Sequence, residues 1–261
     1  MPYFTAPDGW RLHYLETGSG SLVIVLPGST AASVHYQNDI KRLKGHYRAV
    51  SLDFRGTGKS GRMNVWPADW WQQAARDISA LIAHLGYERA ALIGTSGGTI
   101  VGLWCAILFP DQVSAVIADS VGYCLPPERL REEIANRRKY EPGAVQFWRD
   151  AHGDDWRQVI EADCAFLLEK ADGGGTWYGE ELAKVRCPVL ISGSLNDEFY
   201  PDLPKQAREM AQQIPEAQVF LVNGGNHPLI WSRADAFYRV AESFLEKHAS
   251  QQETALIDQS S

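Results

Sequence analysis

Residues 89–109 read RAALIGTSGGTIVGLWCAILF. The first six, Arg89–Gly94, form an apolar run suited to a buried strand. Gly97–Phe109 is apolar enough for a buried helix and stops before Pro110. Between them stands Gly94-Thr95-Ser96-Gly97-Gly98, a G-x-S-x-G pattern. The pattern alone is common. Placed directly between an apolar strand and an apolar helix, it predicts a sharp turn that presents Ser96 Oγ at the C-terminal edge of a sheet. Glycines flank the serine because such a turn is tight and neighbouring chains pack close. The plainer alternative is a serine that only caps the helix.

The signals on either side alternate between strand and helix. Tyr3–Thr5 and Arg11–Thr17 flank Ala6-Pro7-Asp8-Gly9, and a Pro-Asp-Gly turn between two strand-like runs predicts an antiparallel hairpin. Leu22–Leu26 is a continuous apolar run, as in a strand covered on both faces. Tyr47–Leu52 is the next strand. Ala68–Leu85 follows as a helix, with Ile78, Leu81, Ile82 and Leu85 at helical spacing and Gly86 suited to end it. Val113–Ala118, Pro188–Gly193 and Gln218–Val222 read as further strands, and Leu203–Gln213 and Asp235–Glu246 as helices. This alternation predicts an α/β fold with a mostly parallel sheet. It breaks over residues 122–183, a polar, helix-prone and aromatic stretch containing Trp148, Trp156 and Trp177. That stretch reads as an insertion over a core formed by residues 1–121 and 184–247. Residues 248–261 are polar and are expected to be a flexible tail.

A serine hydroxyl is a weak nucleophile and needs a general base. The elbow predicts the chain order serine, acid, histidine. His227, in NGGNHP at 223–228, follows the last strand and is the expected base. His152 lies in the insertion, His248 in the tail, and His13, His35, His46 and His84 read as surface or capping residues. Asp197 follows strand Pro188–Gly193 and is the favoured acid. Asp119, at the end of the preceding strand, competes with it, and Glu198 less so. Developing negative charge needs preorganised donors. The N–H groups of Gly97 and Ser29 are expected to supply them, with Thr30 as the fallback. The segment DFRGTGKS at 53–60 mimics the end of a phosphate-binding loop, but Asp53 stands where that motif requires glycine. It reads instead as a turn in which Asp53 and Arg55 hydrogen-bond locally.

The chain has 261 residues, 45% hydrophobic and 22% charged, which is neither disordered nor fibrous in character. With 25 basic and 32 acidic residues the net charge is −7, so neither nucleic acid nor an anionic membrane is an expected partner. Neither a transmembrane run nor a signal peptide is evident. The four cysteines show no metal-ligand spacing and fit reduced thiols in a cytoplasmic protein.

The sequence resembles the α/β-hydrolase-fold proteins over nearly its whole length. The resemblance rests on the N-terminal hairpin, PGST at 27–30, DFRGTGKS at 53–60, GTSGG at 94–98, Asp197 and NHP at 226–228. The second half, around HGDDW at 152–156 and VRCPVLISGSLNDEF at 185–199, is similar to small ester hydrolases related to valacyclovir hydrolase. The resemblance implies an eight-stranded, mostly parallel sheet with helices on both faces, residues 122–183 as a helical lid, and the triad Ser96, Asp197 and His227. It implies a serine hydrolase of small esters or thioesters, with no cofactor and no metal, acting as a monomer or homodimer on a small molecule. Carbon–carbon hydrolysis of a diketone by the same triad is the alternative, and a non-hydrolytic binding protein the third reading. Gly97 stands where the valacyclovir-hydrolase group has an aspartate, which speaks against a preference for amino-acid esters. Trp104, Trp148, Trp177 and Trp231 are expected to shape an apolar pocket.

Overall fold

The computed structural model describes residues 2–249. Eight strands form one sheet: β1 (Tyr3–Thr5), β2 (Arg11–Thr17), β3 (Ser21–Leu26), β4 (Tyr47–Leu52), β5 (Ala90–Thr95), β6 (Val113–Asp119), β7 (Val189–Ser194) and β8 (Ala217–Val222). Their order is β1-β2-β4-β3-β5-β6-β7-β8. The first two pairings are antiparallel and the rest parallel. Every residue of β5, β6 and β7 is buried, which explains why these strands read as apolar runs and not as alternating patterns.

The helices are α1 (Gln37–Leu43), α2 (Trp70–His84), α3 (Gly97–Leu108), α4 (Pro127–Arg137), α5 (Pro142–His152), α6 (Trp156–Asp172), α7 (Leu203–Gln213), α8 (Leu229–Ser232) and α9 (Ala234–His248). Successive strand side chains point to opposite faces, and each face has its own core. Leu22, Ile24, Leu26 and Leu92 pack with Ile78 and Leu81 of α2 and with Val101 of α3. Val23, Val25, Ala91 and Ile93 pack with Ile40 of α1 and with Phe237 and Leu245 of α9. Helices α4, α5 and α6 occupy the interval between β6 and β7.

Most strands differ from the sequence reading by one residue at one or both ends, and three helices differ more. Helix α2 starts at Trp70 and not at Ala68, because Trp70 N–H closes a turn onto the Pro67 carbonyl at 2.9 Å. Helix α1 has no legible apolar period in the sequence, because Ile40 and Leu43 are the apolar residues it buries. Helix α9 runs on to His248, so that residue is helical; the rest of the expected tail, from residue 250, lies outside the described residues.

The chain reverses its direction of travel across the sheet at β3. It goes to β4 on one side, then returns to β5 on the other. Such a switch point leaves a crevice at the C-terminal ends of the adjoining strands. Ser29 lies just beyond β3 and Ser96 just beyond β5.

Candidate active site

Ser96 occupies a left-handed backbone conformation, φ 50° and ψ −121°. For a residue with a side chain this costs about 1–3 kcal/mol and persists only where surrounding contacts enforce it. They do so here. Ser96 N–H donates to the Asp119 carbonyl at 2.9 Å, and Thr99 N–H donates to the Ser96 carbonyl at 2.9 Å. Thr99 Oγ1 donates to the same Asp119 carbonyl at 3.1 Å. A Cβ at Gly94 would fall 2.4 Å from Thr99 Cα, and one at Gly98 would fall 2.2 Å from the Leu26 carbonyl oxygen. The glycines around the serine therefore answer to backbone contacts.

Asp197 follows β7 and His227 follows β8. Asp197 Oδ1 accepts the N–H groups of Phe199 and Tyr200, each at 2.9 Å. Its Oδ2 lies 3.0 Å from His227 Nδ1. A carboxylate only accepts, so Nδ1 carries the proton and Nε2 is left as an acceptor. Glu198 takes another part: its Oε2 accepts the backbone N–H of His227 at 2.9 Å. The Phe199 ring, 4.6 Å from the imidazole by centroids, flanks it. Asp119 is turned elsewhere. Its buried carboxyl accepts from Ser192 Oγ at 2.8 Å and from Ile230 N–H at 3.1 Å, and burial pushes its pKa up to about 7.

Ser29 and Gly97 face each other across the crevice. A Cβ at Gly97 would sit 3.1 Å from Ser29 N. As the first residue of α3, Gly97 has an N–H without an acceptor inside the helix. Ser29, Thr30, Ser96, Gly97 and His227 all border one cavity of about 450 Å³. Trp148, Trp177 and Trp231 line it too, whereas Trp104 is not among its lining residues. Trp104 is buried behind the wall, where its ring N–H donates to the Trp177 carbonyl at 3.2 Å. Phe147 of α5, an aromatic of the 122–183 stretch, lines it as well, and Trp71 of α2 is a lining residue that the sequence reading missed. Trp71 sits in the expected helix, but nothing local distinguishes a cavity-facing tryptophan from a core one.

Further polar lining, away from Ser96 and His227 in sequence, comes from α4 and the turn that follows: Glu133, Asn136, Arg137 and Glu141. Arg137 Nε donates to Glu133 at 3.0 Å, and its Nη1 donates to Asp163. Among the described lining residues, Arg137 is the only lysine or arginine. No group of three or more His, Cys, Asp or Glu among the described residues could hold a metal ion.

Of the four histidines expected at the surface or in caps, His46 and His84 are exposed and His35 Nδ1 accepts the Ala32 N–H at 3.3 Å, whereas His13 departs from that role. His13 is buried, and its Nδ1 lies 2.8 Å from Asp53 Oδ2. His35 stacks on Phe147 with centroids 3.8 Å apart. Asp53 also accepts the N–H groups of Ser33 at 2.7 Å and Lys59 at 2.8 Å, so it braces the loops after β3 and β4. Arg55 does not bond locally: it pairs with Asp77 and Asp8, each at 2.6 Å.

The Alpha/beta hydrolase family matches residues 23–240. The chain belongs to that family. Its relatives include serine hydrolase BPHL of Homo sapiens, 27% identical over 92% of this chain and 85% of that protein. Another is the 2-hydroxy-6-oxo-6-(2'-aminophenyl)hexa-2,4-dienoic acid hydrolase of Metapseudomonas resinovorans, 22% identical over 94% of this chain and 91% of that protein. The crystal structure of the enol-lactonase from Burkholderia xenovorans LB400 superposes with a TM-score of 0.76 at 21% identity, covering 94% of this chain and all of that one. Within the alpha/beta hydrolase fold, the described residues include no helix long and apolar enough to cross a membrane.

Proposed function

We propose that this alpha/beta hydrolase cleaves small, uncharged carboxylic esters or thioesters through an acyl-enzyme on Ser96. The observation that carries the reading is the shared cavity: Ser96 on its strained turn and the Asp197-supported His227 border the same 450 Å³ space. His227 Nε2 takes the proton as Ser96 Oγ attacks the carbonyl carbon. The Gly97 and Ser29 N–H groups receive the charge on the carbonyl oxygen. The protonated His227 passes its proton to the leaving alcohol or thiol, and Asp197 stabilises the imidazolium meanwhile. Water then gives its proton to His227 and attacks the acyl group, releasing the acid and free Ser96. Residues 122–183, with α4 to α6, act as the lid, and Trp148 and Trp177 of that lid together with Trp231 of α8 supply the apolar wall.

The same groups suit hydrolytic carbon–carbon cleavage, the kind of reaction that the Metapseudomonas relative's substrate name brings to mind. That named substrate is an acid. Here Arg137 is already held by Glu133 and Asp163, which favours uncharged esters.

An active-site fluorophosphonate should label the folded protein at Ser96, and Ser96→Ala should remove both labelling and aryl-ester turnover. Full turnover in that variant would place the nucleophile elsewhere. Faster cleavage of a vinylogous diketone acid than of any aryl ester would favour the second reaction.

A further inference from the structure

His152 ends α5, whose Phe147 and Trp148 line the cavity. His152 itself is not among the lining residues and is buried. Gly58 N–H donates to His152 Nδ1 at 2.9 Å, which makes Nδ1 the acceptor. The remaining proton is therefore on Nε2, and it meets the Thr30 carbonyl at 3.1 Å. Both partners are backbone groups of the core, and each is held from another side. Gly58 is pressed against Asp53, so closely that a Cβ there would lie 2.1 Å from Asp53 Cγ. Thr30 has φ 63°, a left-handed conformation that β-branched residues rarely take. It directly follows Ser29.

Around the ring stand Arg62, Asp53, His35 and, three residues along the chain, Asp155. Arg62 donates to the His152 carbonyl at 2.7 Å and to Asp155 at 2.5 Å, so the end of α5 is tied to the turn after β4. Burial holds the imidazole neutral, with its pKa lowered to about 4. A neutral ring is what this pair of bonds requires, since one nitrogen accepts and the other donates.

We propose that His152 is a positioning residue: through its Nε2–H bond to the Thr30 carbonyl it sets the conformation of the Ser29–Thr30 loop, and it couples the seat of α5 to that loop. This rests on the reading of Ser29 as a donor to the substrate oxygen. The strain at Thr30 supplies the reason for such a brace. A loop held in an unfavourable conformation relaxes when its anchor goes, and the Ser29 N–H turns away from the oxyanion.

Two isosteric replacements separate the bonds. Asn in place of His152 offers an acceptor near the Nδ1 position and nothing near Nε2. Gln offers a donor near the Nε2 position. His152→Asn should lower aryl-ester kcat by about tenfold or more with KM little changed, since a donor displaced by an ångström costs on the order of a hundredfold. His152→Gln should keep kcat within about threefold of native, beyond what packing alone predicts. Amide chemical shifts of Ser29 and Thr30 give a readout independent of turnover: they should move in His152→Asn and stay near native in His152→Gln. In the native protein, histidine ¹⁵N spectra should show His152 with its proton on Nε2. Native kcat in His152→Asn, equal losses in both variants, unmoved loop amides, or a proton on Nδ1 would each overturn the inference. Native protein that fluorophosphonate leaves unlabelled would instead overturn the hydrolase reading, and the amide shifts would still judge the brace.

Discussion

Asp197 Oδ2 lies 3.0 Å from His227 Nδ1, while the carboxyl of Asp119 is bound to Ser192 and the Ile230 N–H. Asp119 ends β6 and Asp197 follows β7, the next strand, yet only Asp197 touches the imidazole. Replacing Asp197 by Asn would present an N–H₂ group or a weaker acceptor to Nδ1 and favour the tautomer with its proton on Nε2. We expect Asp197→Asn to lose roughly 10³–10⁴ in kcat, as for other triads. Asp119→Asn should lose stability instead, because its two donors bond different oxygens and the amide sets an NH₂ group against one of them. Aryl-ester kinetics and thermal melts of both variants check this. A larger kcat loss in Asp119→Asn would reverse the assignment.

Much of the fold is legible in the sequence because its causes are local. Strand β2 and helix α7 have the same ends in the sequence reading and in the structure. The Pro-Asp-Gly turn sets where β2 begins, and α7 opens with proline in its first turn. The serine turn is legible because its glycines stand beside it in the chain. Other features depend on distant partners. Arg55 reaches Asp8 and Asp77, and His152 reaches Gly58 and Thr30, 94 and 122 residues away. No spacing rule links such positions. Trp104 and Trp71 make the same point. Both are buried tryptophans in helices, and only the packing of α4 to α6 decides which one borders the cavity.

His152 also leaves a signature in stability. Its folded pKa, about 4, lies below the ordinary value of 6.5. Between those values the unfolded chain binds a proton that the folded ring does not. This histidine therefore lowers stability in acid, and its contribution rises with pH from about 4 to 6.5 and is level above. Urea denaturation of native protein and His152→Gln should show the difference in their unfolding free energies growing in favour of native across that window. A difference independent of pH would mean that the ring titrates normally in the folded state.

Trp231 and Trp104 should respond differently to truncation. Trp231 borders the cavity, is 38% exposed, and rests on Tyr36 and Phe147. Trp231→Ala should widen the site at little cost in stability and shift preference among p-nitrophenyl esters toward longer acyl chains. Trp104 is buried outside the cavity lining, so Trp104→Ala should cost about 3–5 kcal/mol, as core aromatic truncations do. Its acyl-length profile should keep the native order. A panel of esters from acetate to decanoate, read beside thermal melts, distinguishes the two. An unchanged profile in Trp231→Ala would remove this residue from the acyl site.

We expect Arg137 to govern how the site treats charge. Its guanidinium is shared by Glu133 and Asp163, two carboxylates for one cation. A substrate carboxylate entering the cavity would meet a cation already neutralised, and would bring a further negative charge close to Glu133. Repulsion of this kind excludes ligands as effectively as attraction selects them. We expect an aryl hemisuccinate to have a kcat/KM at least about tenfold below that of the neutral aryl butyrate. Glu133→Gln removes one of the two acceptors' charges without shortening the side chain, and frees part of the guanidinium field. That variant should narrow the ratio several-fold, chiefly through a lower KM for the hemisuccinate. The effect should weaken in high salt as far as the site is open to solvent. An unchanged ratio in Glu133→Gln would show that acyl shape, and not the charge around Arg137, excludes the anionic ester.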